Sequence, residues 1–536
     1  MKNVLAKIIS GEGDTLPVSA FPVDGTYPTS TTKWEKRGIA DNIPVWDADL
    51  CSQCGKCFLI CPHSAIRAKI YPKENLANAP VSFKHTEPIG KEFFKDNEVY
   101  TLQVSAEDCT GCRLCVEYCP VENKNDRGKK AINMLPKAGI LAGETDNWDF
   151  FLNLPETDRD RLNFNSVKGT QLLEPLFEFS GACSGCGETP YLKLLSQLYG
   201  ERMIIANATG CSSIYGANLT TTPWTTNKEG RGPAWANSLF EDNAEFGLGM
   251  KLAYEQKKLY ALSLVEEMKD LLGAELVQDI LDTDQSSEAG IRKQREHIKI
   301  LKQKLTGDTS DKALLLFEIA DHIIKNSHWI IGGDGWAYDI GFGGLDHVLS
   351  TGENVNILVL DTEVYSNTGG QKSKATPLGA SAKFSVNGKT TSKKDLALQA
   401  IAHGSAFVAQ IAMGANDVHA VKTIQEAEAF PGPSLVIAYS HCIAHGYDMA
   451  FGAFHQQNAV KSGYWPLFRY NPMKAIGERF SLDSKQPTLN VKEFLNQETR
   501  FSILDKLHPE HAEQALKNMQ NEIEGKWHRL NILKAL

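Results

Sequence analysis

Twelve cysteines in this 536-residue chain fall into three groups of four, and two of the groups are near-copies of one another. Cys51, Cys54, Cys57 and Cys61 read C-x2-C-x2-C-x3-C before Pro62, and Cys109, Cys112, Cys115 and Cys119 repeat that spacing before Pro120. A loop this short brings three thiolates onto one iron–sulfur cubane, and the fourth Cys, beside its proline, ligates the other cluster. Cys51, Cys54, Cys57 and Cys119 are expected to hold one 4Fe-4S cluster, and Cys109, Cys112, Cys115 and Cys61 a second. Zinc and disulfides are the competing uses of paired cysteines, and two intact runs of this kind disfavour both. The remaining four, Cys183, Cys186, Cys211 and Cys442, are scattered, and by themselves read as small buried apolar side chains.

The length allows roughly three or four domains of about 150 residues. A hydrophobic content of 42% and a charged content of 23% fit a globular protein with large cores. No run of about 18 apolar residues occurs, so no membrane span is expected. The start, Met1 to Lys7, lacks a signal-peptide apolar region. Thiolate ligands imply a reducing cytoplasm, and a net charge of −9 argues against a nucleic-acid partner.

Residues 1–42, rich in Pro, Gly and Thr, read as an extended linker. An α+β two-cluster ferredoxin-like domain is expected over 43–135, with an insertion from Tyr71 to Tyr100 on its surface. Residues 136–180 read as a connecting segment with a charged turn at Glu156 to Arg161. From 181 to 536 the pattern becomes strand–helix alternation, which predicts an α/β domain with a parallel sheet covered on both faces. Strands are expected at Met203–Asn207, His328–Gly332, Val355–Asp361 and Ser434–Tyr439, and helices at Lys312–Lys325, Lys394–His403 and Asp417–Glu428. The charged stretch Ser286–Lys304 reads as a solvated helix.

Two of these strands end in chemically suggestive loops. Gly333-Asp-Gly follows one, and Asp361-Thr-Glu-Val-Tyr-Ser-Asn-Thr-Gly-Gly closes the next. Ligands of open α/β sheets bind beyond the carboxyl ends of strands. Mg²⁺ takes oxygen ligands, usually one or two from protein and the rest from phosphate and water. Asp334 offers a carboxylate and Thr362 a hydroxyl, beside glycines that admit a diphosphate. A lone Gly-Asp-Gly is a common turn. Paired with the Asn- and Gly-rich loop after the next strand, it is a thiamine diphosphate signature.

With these motifs in place, the chain resembles the carboxy-terminal part of the pyruvate:ferredoxin (flavodoxin) oxidoreductase family. The resemblance runs through Pro17-Val-Ser-Ala-Phe-Pro-Val-Asp-Gly-Thr, both Cys runs, Cys183-Ser-Gly-Cys-Gly-Glu-Thr-Pro and Ala208-Thr-Gly-Cys-Ser-Ser-Ile-Tyr-Gly. It continues through Gly232 to Asn243, Gly333 to Gly341, Asp361 to Gln371 and Ser440-His-Cys-Ile-Ala-His-Gly. It implies that Cys183, Cys186, Cys211 and Cys442 hold a third 4Fe-4S cluster, closest to thiamine. It also implies that Glu188 and the Cys211 segment contact thiamine, and that Gly333, Asp334, Gly335 and Trp336 surround the diphosphate. Asp334, Thr362 and the Val364 carbonyl would hold Mg²⁺, with Glu363, Tyr365 and Ser366 in the same cofactor-binding loop. Asn367 would face the substrate-bearing carbon, as the catalytic residue.

The activity so implied is oxidative decarboxylation of pyruvate with coenzyme A to acetyl-CoA and CO₂, electrons leaving through three clusters to ferredoxin or flavodoxin. Members of this family are more than twice as long, form homodimers, and place pyruvate and coenzyme A recognition in amino-terminal domains whose motifs are missing here. Two alternatives stand beside this reading: another 2-oxoacid:ferredoxin oxidoreductase, or a non-catalytic electron-transfer fragment. One feature lies outside the family motifs. Asn123 to Lys130 carries Lys124, Arg127, Lys129 and Lys130 with a single acid, a basic patch suited to an acidic electron acceptor.

Overall fold

The computed structural model describes residues 3–90, 95, 97–217 and 221–535. Strand β1 (Asn42–Trp46) is followed by β2 (Ile66–Pro72), β3 (Glu98–Val104) and β4 (Ile132–Pro136). β1 pairs antiparallel with β4, Asn42 opposite Pro136, and β2 pairs with β3, Ile66 opposite Val104. Each Cys run opens into a single helical turn, Lys56–Leu59 or Leu114–Glu117. The linker is less detached than its composition suggests. It carries a short helix at Leu5–Ile9, and its far end is strapped down, Ser30 N–H donating to the Trp224 carbonyl at 2.7 Å.

The insertion lies largely on the surface, as expected, most of its described residues being exposed, but it is anchored from within. Tyr71 and Tyr100 are the buried ends of β2 and β3, and Phe83 packs into the same core. Gln53, inside the first Cys run, donates to the Glu87 carbonyl at 2.7 Å and accepts from Ile89 N–H at 2.8 Å. Part of the insertion therefore closes over the first run. Residues 91–94 and 96 of that stretch lie outside the described residues.

The second half is built on β5 (Met203–Asn207), β6 (Ala234–Asn237), β7 (Ser327–Gly333), β8 (Asn356–Asp361), β9 (Phe407–Ile411), β10 (Ser434–Tyr439), β11 (Phe468–Tyr470) and β12 (Phe480–Leu482). Among the described residues these form one sheet in the order β12-β11-β9-β10-β8-β7-β5-β6. β9 through β6 run parallel, while β11 and β12 pair antiparallel at one edge. β7, β8, β9 and β10 are almost wholly buried, as near-continuous apolar strands of a covered parallel sheet require.

The expected strands are present. β6, β9 and the antiparallel edge were not legible. The helices observed are Asp311–Ile319, Leu396–Ala402 and Asp417–Ala429. The stretch read as solvated forms a helix at Glu288–Leu305, but Ile291, Ile298, Leu301 and Leu305 bury one face of it against a separate helical core. Its outer face is also engaged, Arg295 pairing with Glu201 at 2.7 Å.

One helix joins the two halves. All eleven residues of Thr189–Tyr199 are buried. Tyr191, Leu194, Leu195 and Leu198 belong to a core that runs without a break from Phe58, Leu59 and Tyr100 to Ile205, Trp329, Leu358 and Val436 of the sheet.

Candidate functional site

The two Cys runs are built alike. Gln53 and Gly55 in the first, and Gly111 and Arg113 in the second, all take positive φ. These left-handed turns aim backbone N–H groups inward, so Gln53 N–H donates to Cys51 Sγ at 3.3 Å and Gly111 N–H to Cys109 Sγ at 3.4 Å. Gln53 and Arg113 bear the cost of φ > 0 that glycine would avoid. The thiols sort crosswise. Cys51, Cys54, Cys57 and Cys119 line one small cavity with Trp46, Tyr100 and Pro120. Cys61, Cys109, Cys112 and Cys115 line another with Pro44, Pro62 and Met134. Burial pushes the thiols up, Cys109 to about 12 and Cys112 to about 11, so bare thiolates there would be costly without a cationic core to hold. Among the described residues no three thiols fall within 4.8 Å of one another, wider than the roughly 4 Å edge of a tetrahedral zinc–sulfur site.

The scattered four are brought together by the sheet. Cys211 follows β5 and Cys442 follows β10, while Cys183 and Cys186 sit in the loop leading into the Thr189–Tyr199 helix. That loop is clamped on the Cys442 loop, Gly187 N–H donating to the His441 carbonyl at 3.1 Å. A Cβ on Gly187 would lie 2.4 Å from that oxygen, so only glycine allows the approach. Burial, then the charge of Glu188, raises the Cys186, Cys211 and Cys442 thiols, and the other cysteines of the group add smaller contributions. Glu188 stands beside them. Burial raises its carboxyl to about 7, opposed by Tyr215, whose hydroxyl donates to it at 2.8 Å.

The residues expected to take a diphosphate and a metal gather at the ends of the next two strands. β10, β8, β7 and β5 are neighbours in the sheet, so Cys442, Thr362, Asp334 and Cys211 follow four adjacent strand ends. Thr362 Oγ1 lies 3.0 Å from Asp334 Oδ1 and 3.1 Å from the Val364 carbonyl. Ser373 donates to Asp334 Oδ2 at 2.7 Å. Burial, then the nearby Asp361, raises the Asp334 carboxyl to about 8. Three oxygens of the type Mg²⁺ takes thus converge in a buried pocket, around a carboxylate that a cation would stabilise. A Cβ on Gly333 would meet nothing closer than 3.9 Å, leaving that side open, whereas one on Gly335 would strike Tyr365 at 2.4 Å. Trp336 is wholly buried behind them. Ser366 joins the two sites, its hydroxyl 3.1 Å from Cys211 Sγ and 3.4 Å from Thr362 Oγ1. Asn367 is exposed at the mouth.

Sequence reasoning missed what stands behind this loop. Glu363 has a positive φ of 62 and is fully buried. Its carboxylate accepts from Lys393 at 3.0 Å, Tyr464 at 2.8 Å and Arg500 at 2.6 Å, so it is engaged within the protein. Arg500 also donates to Glu498 at 2.5 Å, and His455 Nε2 lies 2.6 Å from Glu498. His445 donates from Nε2 to the Thr362 carbonyl at 2.8 Å. Burial alone would raise Glu498, but Arg500, His445 and His455 hold it far below the usual carboxylate range. The acids and bases of this network lie far apart in the chain, and no motif marks them.

Residues 50–123 match the 4Fe-4S dicluster domain family, and residues 318–438 match the C-terminal TPP-binding domain of thiamine pyrophosphate enzymes. Residues 1–40 match a domain of unknown function. The chain is 55% identical over 99% of its length to a pyruvate-flavodoxin oxidoreductase of Trichormus variabilis, of which the match covers 45%. It is 52% identical over 98% of its length to a probable pyruvate-flavodoxin oxidoreductase of Escherichia coli, covering 44% of that protein. It is 48% identical over 96% of its length to a pyruvate:ferredoxin oxidoreductase of Moorella thermoacetica, again 44% of the relative.

The chain is homologous to pyruvate-flavodoxin oxidoreductases. It spans less than half the length of these relatives. Against that homology, the three quartets stand in a readable order. Ser184 Oγ donates to the Thr110 carbonyl at 3.3 Å, placing the scattered quartet against the Cys109 run. Cys115 in turn neighbours Cys57 of the outermost quartet. The basic loop follows Cys119, but only half of it is free. Lys130 donates to the Val116 and Glu117 carbonyls at 2.8 and 2.9 Å, and Lys129 pairs with Asp47 at 3.2 Å. Lys124 and Arg127 are exposed. No helix among the described residues is long and apolar enough to cross a membrane.

Proposed function

We propose that this chain is the electron-transfer and thiamine-holding portion of a pyruvate:ferredoxin or pyruvate:flavodoxin oxidoreductase of the cytoplasm, complete only with the part of its relatives that it does not match. Cys183, Cys186, Cys211 and Cys442 hold the third 4Fe-4S cluster, and the crosswise quartets hold the other two. Asp334, Thr362 and the Val364 carbonyl hold Mg²⁺ and through it the diphosphate, with Gly333, Gly335 and Trp336 around it. The observation that carries this reading is the meeting of two donor sets on adjacent strand ends, bridged by Ser366 between Cys211 and Thr362.

Thiamine diphosphate, when bound, acts as electron sink for loss of CO₂ from a 2-oxo acid. The chain's own residues do the rest. Asp334 would hold the cation that offsets the diphosphate charge, and the Glu363 network fixes the loop bearing Thr362 and Val364. Glu188, protonated near neutrality by its burial, offers a hydrogen bond to a cofactor or keeps a proton beside the third quartet. Asn367, exposed at the mouth, meets the substrate. Ile214 and Ile443, close in sequence to Cys211 and Cys442, stand exposed, apolar surface for the unmatched portion to cover. That portion supplies coenzyme A and pyruvate recognition and the homodimer contacts.

The test is complementation. The anaerobically purified chain, combined with the amino-terminal portion of the Trichormus relative, should oxidise pyruvate with coenzyme A and reduce ferredoxin or flavodoxin. Turnover of 2-oxoglutarate in place of pyruvate would overturn the substrate assignment. A complemented, cluster-loaded protein that turns over neither would leave an electron carrier and overturn the enzyme reading.

A further inference from the structure

Lys193 is one of the few lysines with its side chain shut away from solvent, at 2% exposure. It lies on the Thr189–Tyr199 helix, which belongs to the sheet half, yet its ammonium reaches into the ferredoxin-like half. Nζ donates to the carbonyls of Phe58, Leu59 at 2.8 Å and Cys61 at 3.3 Å. Phe58 and Leu59 end the helical turn that opens between the first Cys run and Cys61, so their carbonyls lack helical partners. Three acceptors on one nitrogen need three N–H donors. A neutral amine has two; only the ammonium has three.

Its electrostatic surroundings are unusual. Among the described residues no carboxylate forms an ion pair with Lys193. The negative groups acting most strongly on it are Cys61 and Cys57, one from each ferredoxin-type quartet, while Glu156 and Glu174 line the same cavity and form no ion pair with it among the described residues. Of the other cations lining that cavity, Arg67 is paired with Glu178 and Lys69 with Glu156. A buried charge without a counter-ion costs several kcal/mol, and carbonyl dipoles offset only part of that. The anionic partners that act on it most directly would be the two clusters that these cysteines are read to hold.

We propose that Lys193 is a charge-positioning residue, its ammonium seated between the two ferredoxin-type clusters and favouring the reduced state of both. The inference rests on the cluster reading of the two Cys runs. Each cluster gains one electron and no proton on reduction, so its negative charge grows while the ammonium stays fixed. In a low-dielectric interior that attraction is weakly screened. The sheet half thereby sets how readily the ferredoxin-like half accepts electrons, through a side chain that ligates nothing.

The experiment is a redox titration of the full chain with dithionite, followed by paramagnetic resonance, beside Lys193→Gln, Lys193→Met and Lys193→Arg. Iron content and cluster signals of the unmodified chain come first. Missing ferredoxin-type signals there sink the cluster reading; signals present are the condition for testing Lys193. Lys193→Gln and Lys193→Met should lower the reduced-to-oxidised ratio of both clusters about tenfold at fixed poise, a shift of 59 mV for one electron. Lys193→Arg should stay near the parent, and the third cluster should not move. Loss of both clusters from the Gln and Met variants, with retention in the Arg variant, also supports a required charge. Unmoved potentials in iron-replete Gln or Met variants overturn the proposal, as does loss of clusters from all three variants, which would make Lys193 a packing residue.

Discussion

In the ferredoxin-like half, three of the four thiols of each quartet leave a single tight loop, and the fourth comes from the twin run. In the sheet half, Cys183, Cys186, Cys211 and Cys442 come from three loops that meet only because β5 and β10 end on the same edge of a finished sheet. Local loops make the first kind of site nearly a property of the peptide. The second kind is a property of the fold, and it shares its strand ends with the metal and diphosphate residues. The contrast teaches where damage spreads: sheet-half lesions should spare the ferredoxin-type centres, while the reverse protection is weaker because Thr189–Tyr199 packs into both halves.

The largest expected effect tests the sheet half alone. Asp334→Ala should lower Mg²⁺-dependent thiamine diphosphate affinity by about 100-fold or more, since the diphosphate charge loses its metal anchor. Calorimetry on the iron-replete variant measures it, and an unchanged affinity would remove Asp334 from the metal site. Next, Cys442→Ala should drop the iron content from about twelve to about eight per chain, one cubane of the three, with both ferredoxin-type signals intact. Loss of all signals would show the halves to be one cooperative unit and break the contrast.

Arg500→Met probes the network behind the metal loop. Removing the guanidinium strands Glu363 and Glu498 in the interior, for a cost of about 3–5 kcal/mol by denaturant unfolding. The pH dependence should also change sign. In the parent, Glu498 is held below its unfolded value of about 4.3, so its contribution is full above that pH and fades as pH falls through the depressed value. In the variant, burial without Arg500 raises the carboxyl, so the variant should lose stability as pH rises above about 4. A parallel pH profile in both proteins would count against the network. The smallest effect is on the outermost quartet. Lys124→Gln with Arg127→Gln should slow reduction of an acidic ferredoxin by about twofold at low salt, with a flatter salt dependence and no change for an uncharged dye. Equal losses with both acceptors would place the defect in the cluster module.

Much of the fold was legible because its signals are local. β5, β7, β8 and β10 are short apolar runs bounded by Gly, Asp or Pro, and each was expected within a residue or so. β9 was not, because Phe407–Ile411 sits in an Ala-rich stretch beginning at Leu396, where a buried strand and a buried helix look alike. The Tyr71–Tyr100 insertion is mostly exposed, as its polar residues suggested, and those residues hid only Phe83 and the two tyrosines that anchor it.

The sequence by itself determined the chemistry on offer. Cys spacing pointed to two cubane loops and their exchange of fourth ligands, and strand-end glycines with Asp334 and Thr362 pointed to a diphosphate and metal edge, because these depend on the reach of a few consecutive residues. The tertiary structure alone decided what surrounds that chemistry. Only the sheet order sets Cys442, Thr362, Asp334 and Cys211 side by side, only the folded core delivers Arg500 to Glu363, and only the Thr189–Tyr199 helix carries Lys193 between the quartets. Buried charge is stable only where a distant partner meets it, and the distance between partners along the chain leaves no local pattern to read.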